Sequence, residues 1–442
     1  MQVVEGVPVA TSISVGTKEM EEGCAEKTEG GYAEHHTAVT QADIRSFYVE
    51  SGMDVDKLCT ATQLDLSARG LRDQQVEAFA HELQDHGGTP QLTLLDLSGN
   101  KMLTCRALQA LVAVDFTRLM HRLVVLNLSG PSFAPFGSIT DIGAIALACT
   151  LQTAPLCQLQ ELSLAFNRIG DASISALCNA FASCKCLRNF DGFHNSWSSD
   201  SSRMLSHELE ERCGIVSLVG DRLGDMMAMR STGFTDADVS LIAATLRIGD
   251  ANATLEALDV RGVAVSTVTT VELASSLSGA TALRIIQFDR AQVSDEGAEA
   301  ISMALAKGLC PELAELRMAG NAVGDRFAAT MRALFHGAPH LARVALSENA
   351  ISNSDPIADA LECAASLLEL LLACNKITSV ARLTDALAAN AAPRLIKFDI
   401  SGNPATQASG KLFSKTQADK EIKALKVVCA KRQRRLDLVL TR

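Results

Sequence analysis

A nine-residue frame returns along this chain at near-regular intervals, and no other feature of the sequence limits the fold as tightly. It reads LTLLDLSGN from Leu92 and LQELSLAFN from Leu159, then LRNFDGFHN from Leu187, LAELRMAGN from Leu313 and LARVALSEN from Leu341. LLELLLACN from Leu367 and LIKFDISGN from Leu395 complete the clean copies. Weaker copies start at Ala61, Leu123, Cys213, Leu255 and Leu283. Most of the twelve starts lie 26 to 31 residues apart, which is the length of one supersecondary unit. Seven copies keep Asn at the ninth position: Asn100, Asn167, Asn195, Asn321, Asn349, Asn375 and Asn403. Shared spacing and shared residue type together rule out coincidence.

Within each copy the alternating apolar positions predict a short strand with one face inward, because strand side chains alternate with period two. The Asn follows where the chain turns away, and its amide can both donate to and accept from the backbone of adjacent turns. The returning half of the unit reads as a helix. Ser294 is an N-cap signal before Asp295 and Glu296, the apolar run that follows has helical spacing, and Gly308 ends it. Thr235 and Asp238 before VSLIAATL form a capping box of the same kind.

The frame L-x-x-L-x-L-x-x-N followed by a helix resembles the ribonuclease-inhibitor-like class of leucine-rich repeat proteins over roughly residues 58–403. The fold expected is an α/β solenoid: a curved horseshoe of about twelve repeats, with parallel strands on the concave side and helices on the convex side. That class includes enzyme inhibitors, GTPase-activating proteins, immune sensors and cytoskeletal or axonemal scaffolds, so the resemblance speaks to fold far more than to function. Its GTPase-activating members use an Arg or Asn near the strand ends of early repeats. Arg69 and Arg168 stand near such positions here, whereas the acidic C-terminal tail of that subfamily is replaced by a basic one.

Four segments follow from these patterns. Residues 1–40 are a polar tail with six clustered Glu between Glu19 and Glu34, and residues 41–60 read as a helical cap on the first repeat. The repeats fill 61–403. Residues 404–442 carry ten Lys and Arg against three Asp and Glu, a net +7 in a chain whose formal charge is −11. There Ile422, Leu425 and Cys429 fall on one face of a helix, which predicts a basic helical cap or tail over the last repeat. Two longer spacings place loops at 131–138 and 221–236, and solenoid insertions of this kind often touch partners.

Composition bears on function mainly by exclusion. The acidic total argues against a nucleic-acid coat. Ile142–Gln160 lacks charge, but Pro155 and three Gln disqualify it as a membrane span. Thirteen cysteines scattered through apolar segments read as reduced thiols of a cytoplasmic protein. Cys184 and Cys186 lack a second pair at zinc spacing, and no phosphate loop, HExxH or nucleophile elbow occurs. No catalytic residue, cofactor or metal set is therefore assigned.

Counted from each start, offsets +2, +4 and +6 are expected to face the hollow of the horseshoe. Phe193, Ile215 and Val219, with Phe166 adjacent, then form an apolar patch, while Arg261, Arg290, Arg317 and Arg343 form an Arg-rich one. Aromatics and Arg dominate protein contacts, so these residues are the candidate protein-binding surface. Arg432, Arg434 and Arg435 join them as contacts for an acidic partner. Trp197 takes the place of Ile169, Val323, Ile351 and Ile377 in other repeats and reads as core. The function expected is a non-enzymatic scaffold in a larger cytoskeletal assembly, axonemal or flagellar among them, with a GTPase regulator or an enzyme inhibitor as the alternative.

Overall fold

Each frame gives only three residues to a strand, because the chain must turn before a fourth pair can form. A computed structural model describes residues 40–52, 54–89, 91–113, 121–132, 137–153, 158–212, 215–219, 235–248, 255–407, 417–432 and 436–440. The loops expected at 131–138 and 221–236 fall largely outside these, as do the tail up to residue 39 and Arg434 and Arg435.

The order of elements is α1 (Gln41–Ser51), α2 (Val55–Thr60), β1 (Gln63–Asp65), α3 (Asp73–Asp85), β2 (Leu94–Asp96), α4 (Cys105–Ala113), β3 (Val125–Asn127) and α5 (Asp141–Thr153). There follow β4 (Glu161–Ser163), α6 (Ile174–Ser183), β5 (Asn189–Asp191), α7 (Ser199–Arg212), α8 (Asp236–Ile248), β6 (Ala257–Asp259), α9 (Thr267–Ser276) and β7 (Ile285–Gln287). The last group is α10 (Asp295–Ala306), β8 (Glu315–Arg317), α11 (Asp325–Gly337), β9 (Arg343–Ala345), α12 (Asp355–Leu361), β10 (Glu369–Leu371), α13 (Ala381–Ala388), β11 (Lys397–Asp399), α14 (Gln417–Lys431) and β12 (Asp437–Val439).

All strand pairs are parallel and in register, in one sheet from β1 to β5 and another from β6 to β12. The sixth copy of the frame makes only isolated bridges, Ser217 to Asn189 and Val219 to Asp191, so the ladder breaks there. The helices do not share the break: α7 packs on α8 and α8 on α9. Helices need about 10 Å each while strands need about 4.8 Å, so stacking one of each per unit bends the array with the strands inside. Between the layers runs a column of middle strand residues, among them Leu64, Leu95, Leu126, Leu162, Leu258, Leu316 and Leu370, all 3% exposed or less. Trp197 is buried beside Phe190, and a Cβ on Gly192 would stand 2.5 Å from its ring.

Three backbone devices stitch neighbouring units together. The Asn ladder is the first. Asn375 Nδ2 donates to Leu346 O of the preceding unit (2.8 Å) and to its own Leu372 O (3.1 Å), while its Oδ1 accepts from Ile351 N (3.0 Å). Asn100, Asn195, Asn321, Asn349 and Asn403 repeat this pattern of donation and acceptance. The second device precedes each Asn. The residue at offset +7 takes a left-handed backbone: Gly99, Gly262, Gly320 and Gly402 do so freely, but Ala68, Phe166, His194, Arg290, Glu348 and Cys374 do so with side chains, at φ of 51° to 60°.

The third device lies on the helical side. Asp73, Asp141, Asp236, Asp295 and Asp325 each open a helix and accept from the backbone N–H that starts the next unit's helical segment, at Thr104, Gly170, Ser266, Gly324 and Ser352 (2.8 to 3.0 Å). A carboxylate at a helix N-terminus is favourable to its own helix too.

The ends of the solenoid are built differently. At the start, Thr40 and Asp43 form a capping box and Phe47 and Leu58 are buried, so α1 and α2 cover the first unit. At the end, Leu425 and Cys429 of α14 are buried as the helix face requires. The chain then continues into β12, which pairs with β11, so 404–442 is more than the helical cap expected from sequence: it adds a strand to the sheet.

Asn375→Ala removes bonds to buried turn backbone and should cost roughly 1–3 kcal/mol. Ala68→Gly relieves a left-handed Ala with no side chain to lose and should stabilise by up to about 1 kcal/mol. Chemical unfolding of both variants checks the opposite signs. Asp325 is a pH probe: burial raises its pKa, but the bonds from Ser352 and Asn353 outweigh it and hold it below the ordinary 3.8. A depressed carboxyl contributes stability above its unfolded pKa and loses it as pH falls through the folded value. Stability should therefore decline below about pH 4, and Asp325→Asn should flatten that decline in acid-unfolding curves.

Candidate protein-binding surface

Charged residues gather along the strands β6 to β10 and in the turns that follow them, Glu315, Arg317, Arg343 and Glu369 within strands and Arg261, Asp289 and Arg290 just after them. Arg261 chelates Asp259 through Nε (2.9 Å) and Nη2 (2.6 Å), and that bonding raises its pKa above the ordinary value. Arg317 Nε meets Asp289 Oδ2 at 2.7 Å and its Nη1 meets Glu315 at 3.5 Å. Partial burial works against the charge on Arg317, but these two carboxylates outweigh it and raise its pKa. Arg343 then bridges Glu315 (3.4 Å) and Glu369 (3.5 Å). The arginines expected from sequence are thus brought together on the concave side as links in a chain of ion pairs, each held by carboxylates of its own or a neighbouring strand.

Arg290 is the exception. Its side chain is 79% exposed and its nearest carboxylate, Glu348, stands 3.9 Å away. Both residues occupy the left-handed +7 position, at φ 56° and 60°, on either side of Gly320. A Cβ on Gly320 would lie 2.8 Å from Arg290 Cγ, so glycine there lets the Arg side chain lie across the turn. Below this pair opens a cleft of about 470 Å³, with Arg261, Asp289 and Arg317 on its walls and Ala319, Ala345 and Leu371 as the small and apolar residues of its lining. Glu348 and Leu371 were not among the expected contacts. The signal for Glu348 was a charged residue in a column where Gly262, Gly320 and Gly402 recur.

The expected apolar patch is not a surface. Phe193 and Val219 are fully buried, Phe166 is 1% and Ile215 4% exposed. Pleat alternation holds only for the three residues of each strand, so Phe193 and Val219, two residues further on, follow the turn instead. Phe166 sits one residue later still, in the left-handed position. The two Phe rings pack edge to face at 6.2 Å with His194 against both, and His194 N donates to Asp238 in the first turn of α8. Ile215 lies where the ladder breaks.

Arg432 is also structural. Its guanidinium donates to Leu387 O (3.1 Å), Ala391 O (3.0 Å) and Ala392 O (2.6 Å), closing the C-terminal end of α13. Burial lowers its pKa, and the carbonyl bonds hold the side chain in place. It is therefore not a contact for an acidic partner.

No disulfide joins any two of the ten described cysteines. Burial pushes Cys310 up to about 12 and Cys429 to about 11, which makes both inert. Among the described residues no helix is long and apolar enough to cross a membrane.

Phe193→Ser should cost at least about 3 kcal/mol, as large-to-small changes in packed cores do. Arg290→Ala should leave stability within about 0.5 kcal/mol, as at other exposed sites. Thermal unfolding of the two variants distinguishes core from rim.

Residues 156–178 match the family model described as Leucine Rich repeat. No curated protein matches the chain. Among solved structures, an internalin (inlF) from Listeria monocytogenes str. 4b F2365 aligns over 91% of this chain and 89% of its own, at 15% identity and a TM-score of 0.39. With the recurring frame, the Asn ladder and the parallel three-residue strands, the chain is a leucine-rich repeat protein.

Proposed function

We propose that the chain is a non-enzymatic scaffold that holds a partner protein against the concave ends of β6 to β10. One observation carries this: Arg290 stands 79% exposed at the rim of the cleft, while the arginines around it are held by carboxylates at 2.6 to 3.5 Å. An exposed Arg beside a partly apolar cleft is the residue type that dominates protein contacts. The surrounding ion pairs fix the other arginines, so a partner meets a rigid wall and loses little to ordering it. Non-enzymatic scaffolding is the ordinary use of leucine-rich repeats.

Arg69 and Arg168, the residues a GTPase-activating role would use, are exposed at turns of other repeats. The finer proposal, a subunit of a cytoskeletal assembly in the cytoplasm, rests on the resemblance of the repeats and predicts co-sedimentation with microtubule or axonemal fractions. The direct test captures the tagged full-length protein from its native cells at moderate salt. Arg290→Ala combined with Glu348→Ala should reduce recovery of its partners at least tenfold, about 1.4 kcal/mol. If the double variant folds normally and retains every partner at the wild-type level, the cleft is not the binding surface.

A further inference from the structure

The end of α3 reads His81-Glu82-Leu83-Gln84-Asp85-His86, on the convex side and remote in sequence from the cleft. Spacings of four set His81 against Asp85 and Glu82 against His86 on adjoining strips of the helix. His81 Nδ1 lies 3.2 Å from Asp85 Oδ2, and His86 Nε2 lies 3.5 Å from Glu82 Oε2. One donor atom from each of His81, Glu82 and Asp85 falls within 4.8 Å of the other two. A tetrahedral ion held at about 2.1 Å from its donors separates them by about 3.4 Å, so His81 and Asp85 already stand at the right spacing and Glu82 lies within 4.8 Å of both.

Two further features fit a cation. Two carboxylates gather at the negative end of a helix dipole, and the last turn of α3 holds neither Lys nor Arg to balance them. Glu82 is also fixed from outside its helix. It is 6% exposed, and the Tyr48 hydroxyl of α1 donates to its Oε2, the kind of bond that orients a ligating carboxylate. His81, Asp85 and His86 stay accessible to an entering ion.

We propose that this helix end is a divalent transition-metal site, with His81, Glu82 and Asp85 as its three protein ligands. Imidazole nitrogen combined with carboxylate oxygen selects the zinc class over magnesium and calcium, which prefer all-oxygen sets. Bound there, the ion stiffens the last turn of α3 and, through Glu82 and Tyr48, the seat of the N-terminal cap.

The test titrates reduced, full-length protein with Zn²⁺ from a chelator buffer and follows thermal unfolding in parallel. Wild type should bind one equivalent more than His81→Ala/Asp85→Asn, and zinc should raise its melting temperature more than that of the variant. Co²⁺ replacing the zinc at this site should show no thiolate charge-transfer band in the wild-type minus variant difference. Cys363→Ser, which removes the separate Cys363–His336 contact, should keep the equivalent. A hundredfold excess of Ca²⁺ should leave it in place. No zinc bound by wild type, equal binding by wild type and double variant, or displacement by Ca²⁺ overturns the proposal.

Discussion

A three-residue strand leaves more backbone unpaired than it pairs, and the Asn amide is what makes such strands tolerable. At each turn, buried carbonyls from two successive units point into the same gap, and an unmet polar group there would cost about 1–3 kcal/mol. One side chain answers both carbonyls and, through Oδ1, an N–H as well. Asn349 serves Met318, Leu346 and Val323 in this way. The column only works if consecutive units stay in register, so the same bonds that satisfy the turn also set the rise of the solenoid. The left-handed residue before it is a consequence: the chain must reverse sharply to bring the amide inward, and offset +7 absorbs the reversal even where the residue is Phe, Arg or Glu.

The helical side repeats the logic with charge. An Asp at the first turn of one helix accepts the N–H that begins the next unit's helical segment, so each carboxylate serves its own helix dipole and its neighbour's unpaired backbone. On the concave side, carboxylates do the same for arginines. Asp289 holds Arg317 through one oxygen and the Ala319 N–H through the other, tying side chain and turn together. A wall of this kind is less a reservoir of free positive charge than a stiff, nearly balanced surface on which Arg290 projects further than Arg261, Arg317 or Arg343. Complementarity to such a wall depends on shape and on individual partners for Arg290, not on bulk charge.

The repeats were readable because leucine columns and Asn positions are imposed at every turn of the solenoid. Burial of Trp197 was readable for the same reason, since its counterparts in other units are aliphatic. Burial of the expected apolar patch is not legible in the alternation, because the pleat ends with each three-residue strand. Alternation predicts Leu64 and Leu95 correctly because they lie inside strands, and it fails for Phe193 because the pleat has ended before that residue. Arg432 looked like part of a charge run, and only the fold brings three carbonyls of another segment to its guanidinium. β12 escaped because LDLVL follows a basic run and lacks the Asn frame that marked every other clean unit. The arginines of the cleft were visible as a row, but nothing in spacing alone separates Arg290 from Arg261. The difference is a turn conformation.

The break in the strand ladder explains why the open surface lies where it does. In the first sheet, β5 presents Asp191 already buried, and the aromatic residues beyond it pack inward against each other and against His194, tied to α8. That region spends its apolar side chains on core. From β6 onward the ladder resumes, offset +6 carries Arg261 and Asp289 in place of Phe and Val, and these remain partly exposed. A charged side chain at that offset is hard to bury without partners, so it turns toward the hollow and draws carboxylates from adjacent strands with it. At this offset Phe193 and Val219 build core beside the break, whereas Arg261 and Asp289 just beyond it line the cleft.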